Sequence, residues 1–447
     1  MAKADALIFS CSECGYKTGK WYGCCPACKQ WDSFTEEKAP LSIKRSSSRK
    51  NAAPTIMRRL SEIDSHEQER IFSGITEWDR VLGGGIMPAS FTILTGDPGI
   101  GKSTLLMHVA NKIAENYNVF YFSTEESLEQ LKLRASRLDC ISDKLLFSDQ
   151  AQFGTIMATV DQHRPDVVII DSIQNCVLED SPSLPGTIGQ LRELALYFMR
   201  LAKDKHVALI LTGHITKEGA MAGPKMMEHM VDTVLYLSGD DQWQNRMLRT
   251  IKNRFGPTGE LGFFEMGSAG LSELKNINEY LLSDTVCTPG SVLVSHMEGS
   301  RPLLLEVQAL VVASKFSTPQ RVISGVDYNQ VVLIAAILEK HLKIRFSSYD
   351  IFFKVSGGFK IKGSNLDLGI AIALLSSFFQ KAFDKKTVAV GEISLAGLVK
   401  PASFGEQLIK EAVKFGIQHI LVASKQASSS AHCRSCSTVH DILSVFD

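Results

Sequence analysis

The 447-residue chain lacks any apolar run of the roughly 18 residues needed to span a membrane, and its first residues carry no signal-peptide apolar region. A cytoplasmic protein without membrane partners is expected. Net charge is also missing. Lys and Arg number 48, as do Asp and Glu, so the chain as a whole neither attracts nor repels a polyanion and local charge must decide. No compositional bias points to disorder, because an apolar fraction of 45% and a charged fraction of 21% are ordinary for globular proteins. The length alone suggests about three domains.

Cysteine is present, and its spacing is informative. Cys11 and Cys14 form one C-x-x-C pair, and Cys25 and Cys28 form a second. Four thiolates suit tetrahedral Zn²⁺, and so small a module needs the metal to fold. Two disulfides are the alternative, disfavoured without an export signal. Cys24 is adjacent, but only Cys25 keeps the two-residue spacing to Cys28. Cys433 and Cys436, near His432 and His440, read as unpaired thiols or a second metal site. Cys140, Cys176 and Cys287 read as small core residues. Residues 38–54 are a basic linker containing Lys44, Arg45, Arg49 and Lys50, able to touch phosphates or simply solvated.

The strongest motif spans Gly96, Asp97, Pro98, Gly99, Ile100, Gly101, Lys102, Ser103 and Thr104. It fits G-x-x-x-x-G-K-[ST] and follows an apolar run at residues 91–95, the strand that a phosphate-binding loop requires. Backbone N–H groups and a helix N-terminus would hold phosphate oxygens. Lys102 would reach the β- and γ-phosphates and Ser103 a Mg²⁺ ion. A nucleoside triphosphate, ATP, is the expected cofactor. Further apolar strands are expected at residues 119–123, 167–171, 207–212 and 233–237, with helices at 127–138 and 188–202 between them. That alternation implies an α/β fold with a parallel sheet whose ligands sit beyond the strands' carboxyl ends. Asp171 ends one such strand and would hold the Mg²⁺ hydration shell. Glu125 and Glu126 follow another, where one could orient and deprotonate the attacking water or both could compensate a helix dipole. His214 follows a third, as a sensor of the γ-phosphate or as a hydrogen-bonded core histidine.

Several runs together resemble the bacterial RadA (Sms) family. They are Gly83-Gly84-Gly85-Ile86-Met87-Pro88, the phosphate loop, Glu125-Glu126-Ser127, Asp171-Ser172-Ile173-Gln174, Gly213-His214-Ile215-Thr216-Lys217-Glu218-Gly219, and Lys252-Asn253-Arg254-Phe255-Gly256. The resemblance covers essentially the whole chain. It implies a zinc module at residues 1–37, a linker at 38–67, a RecA-like ATPase domain at 68–274 and an α+β Lon-protease-like domain at 275–447. It further implies a DNA-dependent ATPase of recombination and repair that forms hexamers, moves on single-stranded DNA and promotes branch migration. Branched DNA, a recombinase and a replicative helicase are the implied partners. Glu125 takes the place of the catalytic glutamate, and Lys252 and Arg254 that of the family cations, which could act across a subunit seam or on DNA phosphates.

DNA contacts are expected from the loops at residues 178–190 and 216–228, the latter carrying Lys217 and Lys225. In the last domain Lys354, Lys360, Lys362 and Lys400 are candidates for a basic surface. The position matching the Lon nucleophile is Asn365, beside Ser364, and the position matching its lysine is Glu406. An amide is no nucleophile, so proteolysis is not expected. The competing function class is a RecA-fold ATPase that remodels or phosphorylates proteins, with the zinc module as a docking site.

Overall fold

The computed structural model describes residues 7–11, 13, 17–26, 29–38, 57, 59, 69–140, 142–179, 181, 184–214, 227–239, 245–283, 285–315, 317–383, 386–426 and 433–446. Cys14, Cys28, the basic run 44–50, Lys217, Lys225 and His432 lie outside them. The described chain falls into two compact units, divided after Glu273.

In the first unit, nine strands form one sheet. Their order is Leu145–Ser148, Val119–Ser123, Val167–Asp171, Ala208–His214, Phe91–Gly96, Thr233–Gly239, Asn245–Asn253, Leu261–Gly267 and Gly270–Glu273. The first six run parallel and the last three antiparallel. The parallel strands are near-continuous apolar runs because both of their faces are covered. Leu94 enters one core with Leu105, Leu106 and Val109 of the helix Lys102–Ile113. Phe91 and Ile93 enter the other, with Leu194 and Phe198 of the helix Ile188–Lys205. A fully buried side chain of this size contributes about 1.5–3 kcal/mol. A surface ion pair such as Lys112–Glu115 contributes roughly 0–1 kcal/mol. Packing therefore fixes the sheet.

The five strands expected here all form, and the helix Leu128–Arg137 starts at a capping box of Ser127 and Gln130. The parallel edge strand Leu145–Ser148 and the three antiparallel strands go beyond that expectation. Asn245–Asn253 buries only Leu248 and Thr250 fully, so it offers a weak period-two signal rather than an apolar run.

A smaller three-stranded ribbon places Leu7–Cys11 between Lys17–Thr18 and Phe34–Lys38, all antiparallel. The second unit is α+β. Its seven-stranded mixed sheet runs Arg321–Ser324, Tyr349–Val355, Arg301–Ala313, Ser291–Glu298, Thr387–Val390, His419–Ala423 and Cys433–Cys436. The apolar helix Asp367–Phe379 is buried along most of its length. The apolar run at residues 388–393 is broken at Gly391, and Glu392–Ile393 pairs with Val399–Lys400 in a separate two-stranded sheet.

The lone cysteines divide by burial. Cys140 and Cys176 lie in the core as expected, and burial pushes their thiols up to about 11 and about 12. Cys287 does not, for it is exposed. Cys433 and Cys436 sit three apart on one strand, which turns their side chains to opposite faces, and burial pushes Cys436 up to about 11. That arrangement is not a metal knuckle. Because the thiolate is the reactive form, alkylating the native protein at mildly alkaline pH should label Cys287 first. Cys140, Cys176 and Cys436 should react only after unfolding, as peptide mass spectrometry would read. Equal labelling rates for Cys176 and Cys287 would contradict this packing.

Candidate functional site

The phosphate loop leaves the central strand at Gly96, where the chain must pass close to its neighbour. A Cβ at this position would come 2.3 Å from the Leu237 carbonyl oxygen, a backbone atom that cannot move aside. Gly101, the residue before the helix Lys102–Ile113, has φ 111°, a conformation that favours glycine. Lys102 is buried, and its Nζ donates to the carbonyls of Gly96 and Asp97, each at 2.9 Å. Burial lowers its pKa, opposed by the charges of Asp171, Asp97 and Glu125. A cation surrounded by those carboxylates and by loop N–H groups is the electrostatic setting for a triphosphate with its metal.

Asp171 closes the strand next but one to the phosphate loop, and both of its oxygens are held. Tyr121 OH donates to Oδ2 at 2.7 Å and Thr212 Oγ1 donates to Oδ1 at 2.6 Å. Two hydroxyls from the strands on either side thus fix the rotation of a carboxylate that is itself buried. Burial and the Asp171 charge push the Tyr121 phenol well above its ordinary value, so it remains a donor. Glu125 receives a hydrogen bond from Ser172 Oγ at 2.6 Å, one residue beyond Asp171. Glu126 is turned away into an ion pair with Arg134 on the following helix. Of the two acids, Glu125 is therefore the one tied to the Asp171 edge. His214 pairs in the ladder with Gly96, its backbone beside the start of the loop.

Lys252 and Arg254 do not join this cluster. Asn253 lies opposite Thr233, which lies opposite Thr92, four residues before Gly96 along the central strand. At about 3.3 Å per residue the two sites are separated by roughly 13 Å within one chain. Here Asp232 is the organiser. Buried Asp232 accepts from Phe91 N at 3.1 Å and pairs with Arg254 Nη1 at 3.2 Å, while the Arg254 side chain stays 49% exposed. Lys252 Nζ donates to the carbonyls of Glu228 at 2.6 Å and Val231 at 2.8 Å. Burial lowers its pKa, and Arg254 adds to the shift. Asn253 Nδ2 bonds the Leu82 carbonyl, and Arg70 Nη2 bonds that of Phe255 at 2.6 Å. The Lys252–Gly256 motif and the turn around Gly83 thus form one edge.

Sequence reasoning missed Tyr121, Ser172, Thr212 and Asp232. It also missed Arg246, whose Nε donates to the Ile100 carbonyl inside the phosphate loop at 3.1 Å. The available signal was a polar atom interrupting or ending an apolar strand, as at Tyr121 and Thr212. In the ribbon, Cys11 and Cys25 are buried, with Ser33 Oγ 3.3 Å from Cys11 Sγ and Cys25 inside a turn closed by Lys29 N and Gln30 O. Cys24 faces outward in part. Two buried thiols in so small a ribbon are donors of the kind a thiolate-bound metal takes. The segment at residues 178–190 carries Glu179 and no cation among its described residues, and its last three residues open the helix Ile188–Lys205. In the second unit Lys354, Lys360, Lys362 and Lys400 are exposed. Asn365 Nδ2 is committed to the Ser295 carbonyl and Ser364 Oγ to Glu392, each at 3.0 Å, while Glu406 is exposed.

Three family profiles match the chain: the AAA domain at residues 58–220, the rubredoxin metal binding domain at 9–36, and subunit ChlI of Mg-chelatase at 331–426. Fold and site define a P-loop ATPase with a RecA-like α/β core, a metal-binding ribbon before it and an α+β domain after it. DNA repair protein RadA of Halalkalibacterium halodurans is 40% identical over 98% of either chain. Its namesake from Haemophilus influenzae is 39% identical over the full length of both. The RadB recombinase structure is similar at 20% identity over 46% of this chain and all of its own, with a TM-score of 0.37. The chain belongs to the RadA family of DNA repair proteins. No helix among its described residues is long and apolar enough to cross a membrane.

The clasp on Asp171 makes a prediction. Tyr121→Phe keeps the ring and its packing but removes the donor, so a hydrolysis assay across Mg²⁺ concentrations should show a higher Mg²⁺ requirement. The loss of one hydrogen bond to a charged group, roughly 1.5–3 kcal/mol, sets the scale. An unchanged Mg²⁺ profile would show that Thr212 alone holds the carboxylate.

Proposed function

We propose that the protein is a DNA-dependent ATPase that assembles as a hexamer, translocates on single-stranded DNA and promotes branch migration of recombination intermediates in the cytoplasm. Residues 96–104 bind the triphosphate of ATP, and Ser103 and Asp171 hold the Mg²⁺ ion. Glu125 orients and deprotonates the attacking water, fixed in place by Ser172. His214 reports the state of the γ-phosphate to the loop that follows it. Cys11, Cys14, Cys25 and Cys28 hold Zn²⁺, which supplies folding energy to the module at residues 1–37. Residues 38–67 link it to the ATPase domain, 68–274, and the Lon-like domain, 275–447, organises the ring without proteolysis. A recombinase and a replicative helicase are its protein partners.

The observation that carries this reading is the separation of the phosphate loop from Lys252 and Arg254 to opposite edges of one sheet. Transferring a phosphoryl group spreads negative charge over three oxygens, and an added cation accelerates the step by roughly 10³–10⁵. A cation about 13 Å away in its own subunit cannot do this. In a head-to-tail ring it meets the neighbour's nucleotide instead. Arg254 is suited to that role, because Asp232 orients the guanidinium from one side and leaves about half of it exposed.

Mixing two inactive proteins tests the seam. Lys102→Ala disables the loop and Arg254→Ala the opposite edge. A ring containing both retains some seams with an intact loop and an intact cation, so the mixture should regain measurable DNA-stimulated hydrolysis. A mixture as inactive as its parents, with hexamers still seen by sedimentation, would rule out catalysis across the seam. Separately, Glu125→Gln should still bind ATP while hydrolysing it about 10²–10⁴-fold more slowly. Equal loss for Glu126→Gln would reassign the base.

A further inference from the structure

The ribbon carries an aromatic feature that neither hydrolysis nor metal binding uses. Trp21, Tyr22 and Trp31 are 55%, 45% and 75% exposed. Rings this large are ordinarily packed inward or placed where a ligand covers them. The two indoles converge on Gly23. A Cβ at that residue would lie 3.7 Å from Trp21 Cη2 and 3.7 Å from Trp31 Cζ3. Gly23 is absent from the positive-φ glycines, so its backbone does not call for glycine. A side chain larger than a methyl group at this position would press on both rings. Asp32 N donates to the Gly23 carbonyl at 2.9 Å, and Cys24 and Trp31 form a bridge, so the two arms bearing the indoles are held together.

We propose that Trp21 and Trp31 form a stacking slot for one base of single-stranded nucleic acid, with Gly23 as its floor. The two ring atoms are at most about 7.4 Å apart, and the exposed indoles must open to that limit for one planar ring, which needs about 7–8 Å, to touch both of their faces. Lys20 precedes Trp21 and Lys29 sits in the turn before Trp31, both exposed, so cations flank the slot where the strand's phosphates would run. Every base offers a flat π-face, so the slot reads strandedness rather than sequence. Duplex bases are already stacked and cannot enter. The inference rests on single-stranded DNA being the protein's track, and it adds a contact that lies off the ATPase domain.

The test uses the full-length protein and its intrinsic tryptophan emission. An oligothymidylate is compared with an abasic sugar-phosphate chain of the same length, and hydrolysis is followed in parallel. The oligothymidylate should quench emission and the abasic chain should not, and Trp21→Phe with Trp31→Phe should abolish the quenching, which separates the slot from Trp78 and Trp243. Trp31→Ala removes one wall, and Gly23→Leu fills the slot with zinc content as its folding control. Each should weaken oligothymidylate binding about 5- to 150-fold and leave the rate of hydrolysis at saturating DNA unchanged. Equal quenching by both chains, wild-type affinity in both variants, or quenching by a protein partner instead of DNA would overturn the slot. Should wild-type hydrolysis fail to respond to DNA at all, the motor reading fails first, and the two failures are told apart by that arm.

Discussion

The ladder on either side of Phe91–Gly96 is the constraint from which the rest of the ATPase domain follows. Its parallel pairing with Ala208–His214 and Thr233–Gly239 sends three strands toward one edge in register, so Gly96, His214 and Leu237 align there. The same register aligns Phe91, Asp232 and Arg254 at the other edge, through Asp232 Oδ2 on Phe91 N. Central parallel strands packed on both faces leave little freedom for either edge to shift. Chemistry at one edge and an organised cation at the other are consequences of one set of hydrogen bonds.

At the chemical edge the sheet also solves an electrostatic problem. Lys102 and Asp171 are nearly excluded from water, and burial disfavours the charge on Lys102. These two and Glu125 have polar partners supplied by neighbouring strands or the loop itself: carbonyls for Lys102, hydroxyls for Asp171 and Ser172 Oγ for Glu125. An unpaired charge buried there would cost several kcal/mol, whereas paired charges are held in fixed directions. Pre-oriented groups need little rearrangement when a metal–triphosphate complex arrives. The hydroxyl clasp fixes the Asp171 carboxylate, although no motif contains Tyr121 or Thr212.

Within one chain the two edges, roughly 13 Å apart along the strands, do not serve one another. Head-to-tail contact is the arrangement that brings unlike edges of identical subunits together. Arg254 is held by a buried aspartate and left half exposed, as a group meant for a second body would be. The ribbon follows a different logic. Two of its thiols are buried and two of its indoles are exposed, which suits it to a contact rather than to chemistry.

Much of this was legible in residue order. The phosphate loop, Asp171 and the five apolar strands declare themselves because a buried parallel strand is a local apolar run and a phosphate loop is a local string of glycines. The paired C-x-x-C spacing is legible for the same reason, and Glu125 and Glu126, which the resemblance already told apart, have different tertiary partners in Ser172 and Arg134. What the order of residues could not supply were relations between distant segments: Tyr121 meeting Asp171, Asp232 joining Phe91 to Arg254, Arg246 reaching the carbonyl of Ile100. It also could not show the antiparallel edge, whose half-buried strands carry too weak an alternation, or the exposure of Cys287. Local chemistry sets which groups are available, and only the closing of the sheet, by burying some and aligning others, decides which of them act together.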